Sequence, residues 1–136
     1  MSTSPNRLLG VIFGVIYLVV GVFGFFVTSS VAFAGTANSN RLIGLFELNP
    51  LQNLIHLVIG VILLIAGLAG IRVAKGANTT FGAIFLIVGI IGLFLASAGP
   101  NIFAINAADN VLHFLTAVVL LAVGLGAEKV AEPAKA

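Results

Sequence analysis

Phe13-Gly14-Val15-Ile16-Tyr17-Leu18-Val19-Val20-Gly21-Val22-Phe23-Gly24-Phe25-Phe26 recurs without a gap as Phe81-Gly82-Ala83-Ile84-Phe85-Leu86-Ile87-Val88-Gly89-Ile90-Ile91-Gly92-Leu93-Phe94. All three glycines coincide, and Tyr17 stands where the second copy has Phe85. A second pair of segments aligns further along: Phe46 with Phe103, Asn49 with Asn106, Asn53 with Asn110, His56 with His113 and Gly67 with Gly124. The offset is 68 residues for the first pair and 57 for the second, so the first loop carries an insertion of 11 residues. Apolar segments resemble one another by composition, but the matched Phe, Asn and His residues are not explained that way. The chain therefore divides into repeat one, about residues 7–74, and repeat two, about residues 78–130. Two helices per repeat would send both copies into a membrane in the same direction, related by a pseudo-two-fold axis along its normal.

The membrane follows from composition. Of 136 residues, 60% are hydrophobic and 7% charged, against about 25% charged in a soluble domain. A membrane helix needs roughly 20 mostly apolar residues. Four runs qualify: Leu8 to Val27, about Leu51 to Ile71, about Phe81 to Ala98, and about Val111 to Ala127. The first, with Arg7 before it and Ala32-Phe33-Ala34 after it, could be taken for a signal peptide, but its apolar run is about twice the usual core length. The fold expected is all-α, an integral membrane four-helix bundle of two repeated hairpins. The basic residues are scattered singly, with no patch to track phosphates, so nucleic acid is excluded as a partner. The absence of cysteine excludes disulfides, thiolate metal sites and a thiol nucleophile.

Basic residues near helix ends favour the cytoplasmic side. Arg7, Arg72, Lys75, Lys129 and Lys135 would share one side, with Arg72 and Lys75 lying between helices two and three; Arg41 is alone on the other. Both termini are expected in the cytoplasm of a bacterial inner (plasma) membrane.

At about 100° per residue, Gly10, Gly14, Gly21 and Gly24 fall within an arc of roughly 80°. Gly82, Gly89 and Gly92 form the matching face. Such a smooth face lets another helix approach closely; it serves either packing inside the bundle or dimerisation. A second stripe carries Asn49, Asn53, His56, Gly60 and Gly67, repeated as Asn106, Asn110, His113, Ala117 and Gly124. Polar side chains facing lipid are costly, so these stripes should turn toward protein. Asn49-Pro50-Leu51-Gln52 reads as an N-cap, a proline at the first helical position and a capping-box-like glutamine. Asn106 to Asp109 is the looser copy. Asn53 and Asn110 are expected to hydrogen-bond across helices.

His56 and His113 are the sharpest chemical feature, expected at similar depth on facing helices. Three readings compete: structural hydrogen bonding in the bundle core; ligation of a tetrapyrrole, haem or a chlorophyll, with Gly60 and Ala117 leaving room for a ring edge; or a metal or proton site with Glu47 or Asp109. Glu47 and Asp109 themselves read as wetted loop charges near the outer interface. No nucleophile–base pairing, phosphate loop or nucleotide fingerprint is present, and no charge occupies a helix centre, so neither an enzyme nor an ion-coupled transporter is expected.

The series Leu45-Phe46-Glu47-Leu48-Asn49-Pro50-Leu51-Gln52-Asn53-Leu54-Ile55-His56-Leu57-Val58-Ile59-Gly60 resembles a family of small bacterial four-helix membrane proteins catalogued as a domain of unknown function, number forty-three eighty-three. The similarity runs from about Leu8 to Gly126. It implies a fold and no activity; Gln52 stands where many members would carry a histidine. The role expected is structural or accessory: contact with membrane lipid, and either a subunit of a larger membrane complex or self-association. A tetrapyrrole-binding redox or pigment-associated subunit is the alternative.

Overall fold

The computed structural model describes residues 4–35, 41–95 and 100–128. Four helices cross the molecule: α1 (Pro5–Val27), α2 (Pro50–Ala69), α3 (Ile71–Leu95) and α4 (Ala107–Gly126). Each is long and apolar enough to span a membrane. In hydrocarbon the backbone must satisfy its own hydrogen bonds, which helices do within one segment. The chain is a multi-pass membrane protein built as an all-α four-helix bundle.

The boundaries follow from local chemistry. α1 starts where the Ser4 hydroxyl accepts from the Arg7 backbone N–H, with Pro5 at the first helical position. Asn49 caps α2 by accepting from Gln52 N at 2.8 Å. Asn106 caps α4 in a reciprocal box: its side chain accepts from Asp109 N, and the Asp109 carboxylate accepts from Asn106 N. Capping by both asparagines was legible in sequence.

The third helix departs from expectation. It begins at Ile71, ten residues before Phe81, and a single residue, Gly70, separates it from α2. Gly70 has φ 154° and ψ 170°, a region open essentially to glycine alone. Arg72 and Lys75 are therefore helical residues of α3, not loop residues. Their polarity suggested a loop, but Lys75 and Asn78 project onto the ends of other helices. Lys75 Nζ donates to Glu128 O at 2.6 Å, and Asn78 Nδ2 donates to Asn6 O and Oδ1, each at 3.0 Å. The expected end of helix three near Ala98 lies outside the described residues, as do Lys129 and Lys135.

α1 packs mainly on α2, and α3 mainly on α4. The glycine faces make these contacts. A Cβ on Gly14 would lie 2.6 Å from Leu64 N, and one on Gly82 would lie 2.9 Å from Leu121 N. A Cβ on Gly10 would meet Gly67; on Gly21 it would meet Leu57, and on Gly89 the Phe114 ring. Gly24 abuts the Asn53 side chain, and Gly92 abuts that of Asn110. These glycines thus pack inside each hairpin. For Gly14, Gly21 and Gly24 the partner has its counterpart 57 residues on: Leu64 with Leu121, Leu57 with Phe114, Asn53 with Asn110.

The core lies where the hairpins meet. Leu63 and Leu120, 57 residues apart, are both fully buried with Tyr17, Phe85, Ala117 and Ile59. At the end holding the interhelical loops, a small antiparallel ribbon pairs β1 (Arg41–Leu42) with β2 (Phe46–Glu47), an element the periodicity did not signal.

Candidate functional site

His56 and His113 each stand six residues into their helices, roughly 10 Å below the loop end at 1.5 Å per residue. Both are buried. Two aromatic rings join them. Tyr17 lies against His56 (ring centroids 5.3 Å), stacks on Phe85 (5.1 Å, 16° between planes), and Phe85 stacks on His113 (5.6 Å). The row is His56–Tyr17–Phe85–His113, one ring from each helix. Tyr17 OH donates to Thr116 Oγ1 at 3.2 Å, tying α1 to α4. The Nδ1 atoms of both histidines have no hydrogen-bond partner among the described residues.

Two cavities flank this row. The larger, about 570 Å³, lies in the seam between α1 and α4. The smaller, about 110 Å³, lies between α2 and α3. Both histidines line both. They are counterparts under the repeat: Ile16, Tyr17 and Val20 of the first correspond to Ile84, Phe85 and Val88 of the second, and Asp109, Leu112 and Thr116 to Gln52, Ile55 and Ile59. In two of these pairs the larger cavity carries the polar member, Tyr17 against Phe85 and Thr116 against Ile59, and Leu42, Ile43 and Phe46 of the β-ribbon reach over it.

The loop end is cross-braced. Asn49 Nδ2 donates to Gly35 O (3.0 Å) and to Ile102 O (2.7 Å), while Asn106 Nδ2 donates to Leu45 O (2.8 Å). Leu45 and Ile102 are themselves 57 residues apart, so each cap reaches the other repeat's loop in the same way. Gln52, with its amide nitrogen turned toward them, donates to the carbonyls of Glu47 (3.2 Å) and Phe103 (2.8 Å). Asp109 departs from its expectation as a wetted charge. It is buried, engaged in the capping box, and accepts from the Glu47 backbone N–H. Asn53 bonds across helices as expected, Nδ2 donating to Thr28 Oγ1 at 2.8 Å. Asn53 and Asn110 both lay their Oδ1 against a glycine, Gly24 and Gly92, and neither oxygen has a hydrogen-bond partner among the described residues.

At the opposite end, Arg7 Nε and Nη2 donate to Gly67 O (3.0 Å) and Leu68 O (3.1 Å), covering the last carbonyls of α2. This is the favourable place for a cation on a helix. Asn6 Nδ2 donates to Val123 O and Glu128 Oε2. Hydrogen bonds from Ser4 and Asn6 hold the Glu128 carboxyl below its ordinary pKa.

Among the described residues, no three His, Asp or Glu side chains gather as they would to hold a metal ion. The room expected beside Gly60 is filled, because a Cβ there would lie 2.7 Å from Leu18 N. Tyr17 and Phe85 occupy the space joining the histidines.

Sequence reasoning gave no role to Tyr17, Thr116, Thr28, Asn6 or Asn78. Tyr17 is the chain's one tyrosine and replaces a phenylalanine in the repeat, a signal that was available. A buried phenol in an apolar helix requires a partner hydroxyl or carbonyl nearby.

Residues 7–126 match the family described as Domain of unknown function (DUF4383). The match spans most of the chain, and the protein belongs to that family. No curated protein and no solved structure matches it.

Proposed function

We propose that the protein is a structural or accessory component of its membrane, either a small subunit of a larger membrane assembly or a self-associating protein, and not an enzyme. One observation carries this reading: its buried polar side chains are largely engaged in holding its own bundle together. Asn49, Asp109, Asn53, Asn6 and Asn78, with the half-buried Asn106 and Arg7, all bond to helix ends, loops or neighbouring helices. What remains outward is an apolar surface contributed by all four helices, including Phe26, Ile65, Phe94 and Val118. The positive-inside rule orients it with Arg7, Arg72 and Lys75 at a cytoplasmic face and Arg41 outside, in a bacterial inner membrane.

Extraction from native membranes in a mild detergent, followed by cross-linking and mass determination, tests the reading. A stoichiometric membrane partner or a defined oligomer is expected. A lone monomer at native abundance overturns it.

A tetrapyrrole subunit is the second reading, favoured by one observation: both histidines keep an unpaired Nδ1 and line the same cleft. An absorption band of the native protein that is lost in His56→Ala or His113→Ala would establish it; a colourless protein would end it.

A further inference from the structure

The α1/α4 cleft is unlike the rest of the lipid-facing surface. Its volume, about 570 Å³, falls in the range of roughly 300–1,000 Å³ typical of small-molecule sites. Its walls are apolar side chains of α1 and α4, such as Ile16, Phe23, Leu115 and Val119, which also face outward where lipid would lie. Its polar lining residues are Tyr17, Thr116, Asp109 and the two histidines. Both imidazoles are more than nine-tenths buried, with relative exposures of 7% and 5%, and each has an Nδ1 without a partner. A buried polar atom left unpaired is costly; both Nδ1 atoms lie just beneath the cleft surface, and a ligand atom that pairs with one after a turn of the imidazole recovers that cost. A neutral imidazole presents one donor and one acceptor nitrogen, so it can meet either a hydroxyl or a carbonyl.

Charge narrows the class further. No lysine or arginine lines the cleft among the described residues, so nothing there neutralises a phosphate. Its one acidic group, Asp109, is engaged with backbone N–H groups of Asn106 and Glu47. The nearest cation, Arg41 of the ribbon, lies outside the lining and acts on Asp109, so an anionic headgroup would meet an acid before a base, whereas a neutral hydroxyl or carbonyl has partners. The ribbon supplies a roof: Ile43, at its turn, lines the cleft with φ 49°, a conformation unusual for a β-branched residue.

We infer that the α1/α4 cleft binds a neutral, membrane-dissolved lipid with an apolar body and a single hydroxyl- or carbonyl-bearing head, the head seated at His56, His113 and Thr116. The lipid enters sideways from the bilayer, its tail lying between α1 and α4. The α2/α3 seam has the same scaffold with Ile59 in place of Thr116 and Phe85 in place of Tyr17, and serves as an internal control.

The test uses the full chain in phospholipid nanodiscs with a diazirine-bearing hexadecanol as probe, and labelled positions are mapped by peptide mass spectrometry. Labelling is expected to be several-fold greater at Ile16, Val20, Leu115 and Val119 than at Ile84, Val88, Val58 and Ile62, and to be competed by unlabelled hexadecanol. Probe affinity should fall roughly tenfold in His113→Phe, as loss of one buried hydrogen bond implies. Val119→Trp, at a lipid-facing position whose change leaves the core intact, should block the cleft and remove the excess labelling. Equal labelling of the two seams overturns the inference. So does equal labelling by a diazirine-bearing phosphatidylcholine, which would mean ordinary acyl-chain solvation. Cross-linking of the cleft walls to another polypeptide in native membranes would assign the seam to a partner helix and overturn it as well.

Discussion

The two seams of this bundle are built from the same parts and end up different. Between α2 and α3 the cavity is about 110 Å³; between α1 and α4 it is about 570 Å³. Three physical causes separate them. α2 and α3 are joined by one residue, Gly70, which holds their ends together, whereas α1 and α4 meet at that end only through side-chain bonds such as Asn6 to Val123. The longer first loop forms a ribbon over the α1/α4 side. The filling residues also differ, with Thr116 and Tyr17 on one side and Ile59 and Phe85 on the other. The two seams share matching residues, and a few differences with one chain link separate the closed side from the open one.

The largest expected effect breaks what the two halves share. Gly14→Ala and Gly82→Ala each place a Cβ under 3.0 Å from a backbone nitrogen of the partner helix, which only movement of a whole helix relieves. Each should cost about 1–3 kcal/mol, read as a lower melting temperature in detergent. Gly89→Ala, which meets only the Phe114 ring at 3.1 Å, should cost less.

Gly70→Ala sharpens the comparison by attacking the link that closes one seam. The space around Gly70 is open, so the effect is conformational, about 1–3 kcal/mol. It should raise cross-linking reach between α2 and α3 while leaving the α1/α4 distances unchanged. Unchanged stability would show that the link is not what closes the seam.

Asn49→Ala and Asn106→Ala probe the reciprocal braces. Each removes a cap worth about 1 kcal/mol. Asn49 also loses bonds to Gly35 and Ile102, and Asn106 one bond to Leu45. Asn49→Ala should therefore be the more destabilising in a chemical denaturation series. The reverse order would mean that the cap dominates and the braces contribute little.

The smallest effect concerns the open end of the α1/α4 seam. The Glu128 carboxyl is held below its ordinary pKa, chiefly by Ser4 and then Asn6. A depressed carboxyl pKa stabilises the fold above the ordinary value of 4.5 and loses that contribution as pH falls through the folded-state value. The melting temperature should drop slightly on acidification below that value, and Glu128→Gln should flatten the dependence. An equal acid response in Glu128→Gln would assign it elsewhere.

Much of the fold was legible because a bilayer imposes simple rules. Apolar length marked all four helices, and Asn49 and Asn106 declared their caps through the residues that follow them. The start of α3 was missed because Arg72, Lys75 and Asn78 read as loop by polarity. In a bundle whose ends reach water and neighbouring helix termini, Lys75 and Asn78 bond outward from a continuing helix. Asp109 was misread for a related reason: an acid in the first turn of a helix is either wetted or a cap, and only its neighbours decide. The histidines were found, but the aromatic row between them was not, since Tyr17 and Phe85 look like ordinary apolar positions until α1 and α3 are brought together.

Sequence alone determined the number of spans, the glycine faces and the capping asparagines, because each depends on residues near one another in the chain or on composition against hydrocarbon. Tertiary structure decided that the glycine faces are spent within the hairpins, that Tyr17 finds Thr116 99 residues away, and that one seam closes while its counterpart stays open. Those outcomes depend on which helix faces meet. In lipid, where every outward face is equally apolar, hydrophobicity does not choose among them; close packing and the few buried hydrogen bonds do.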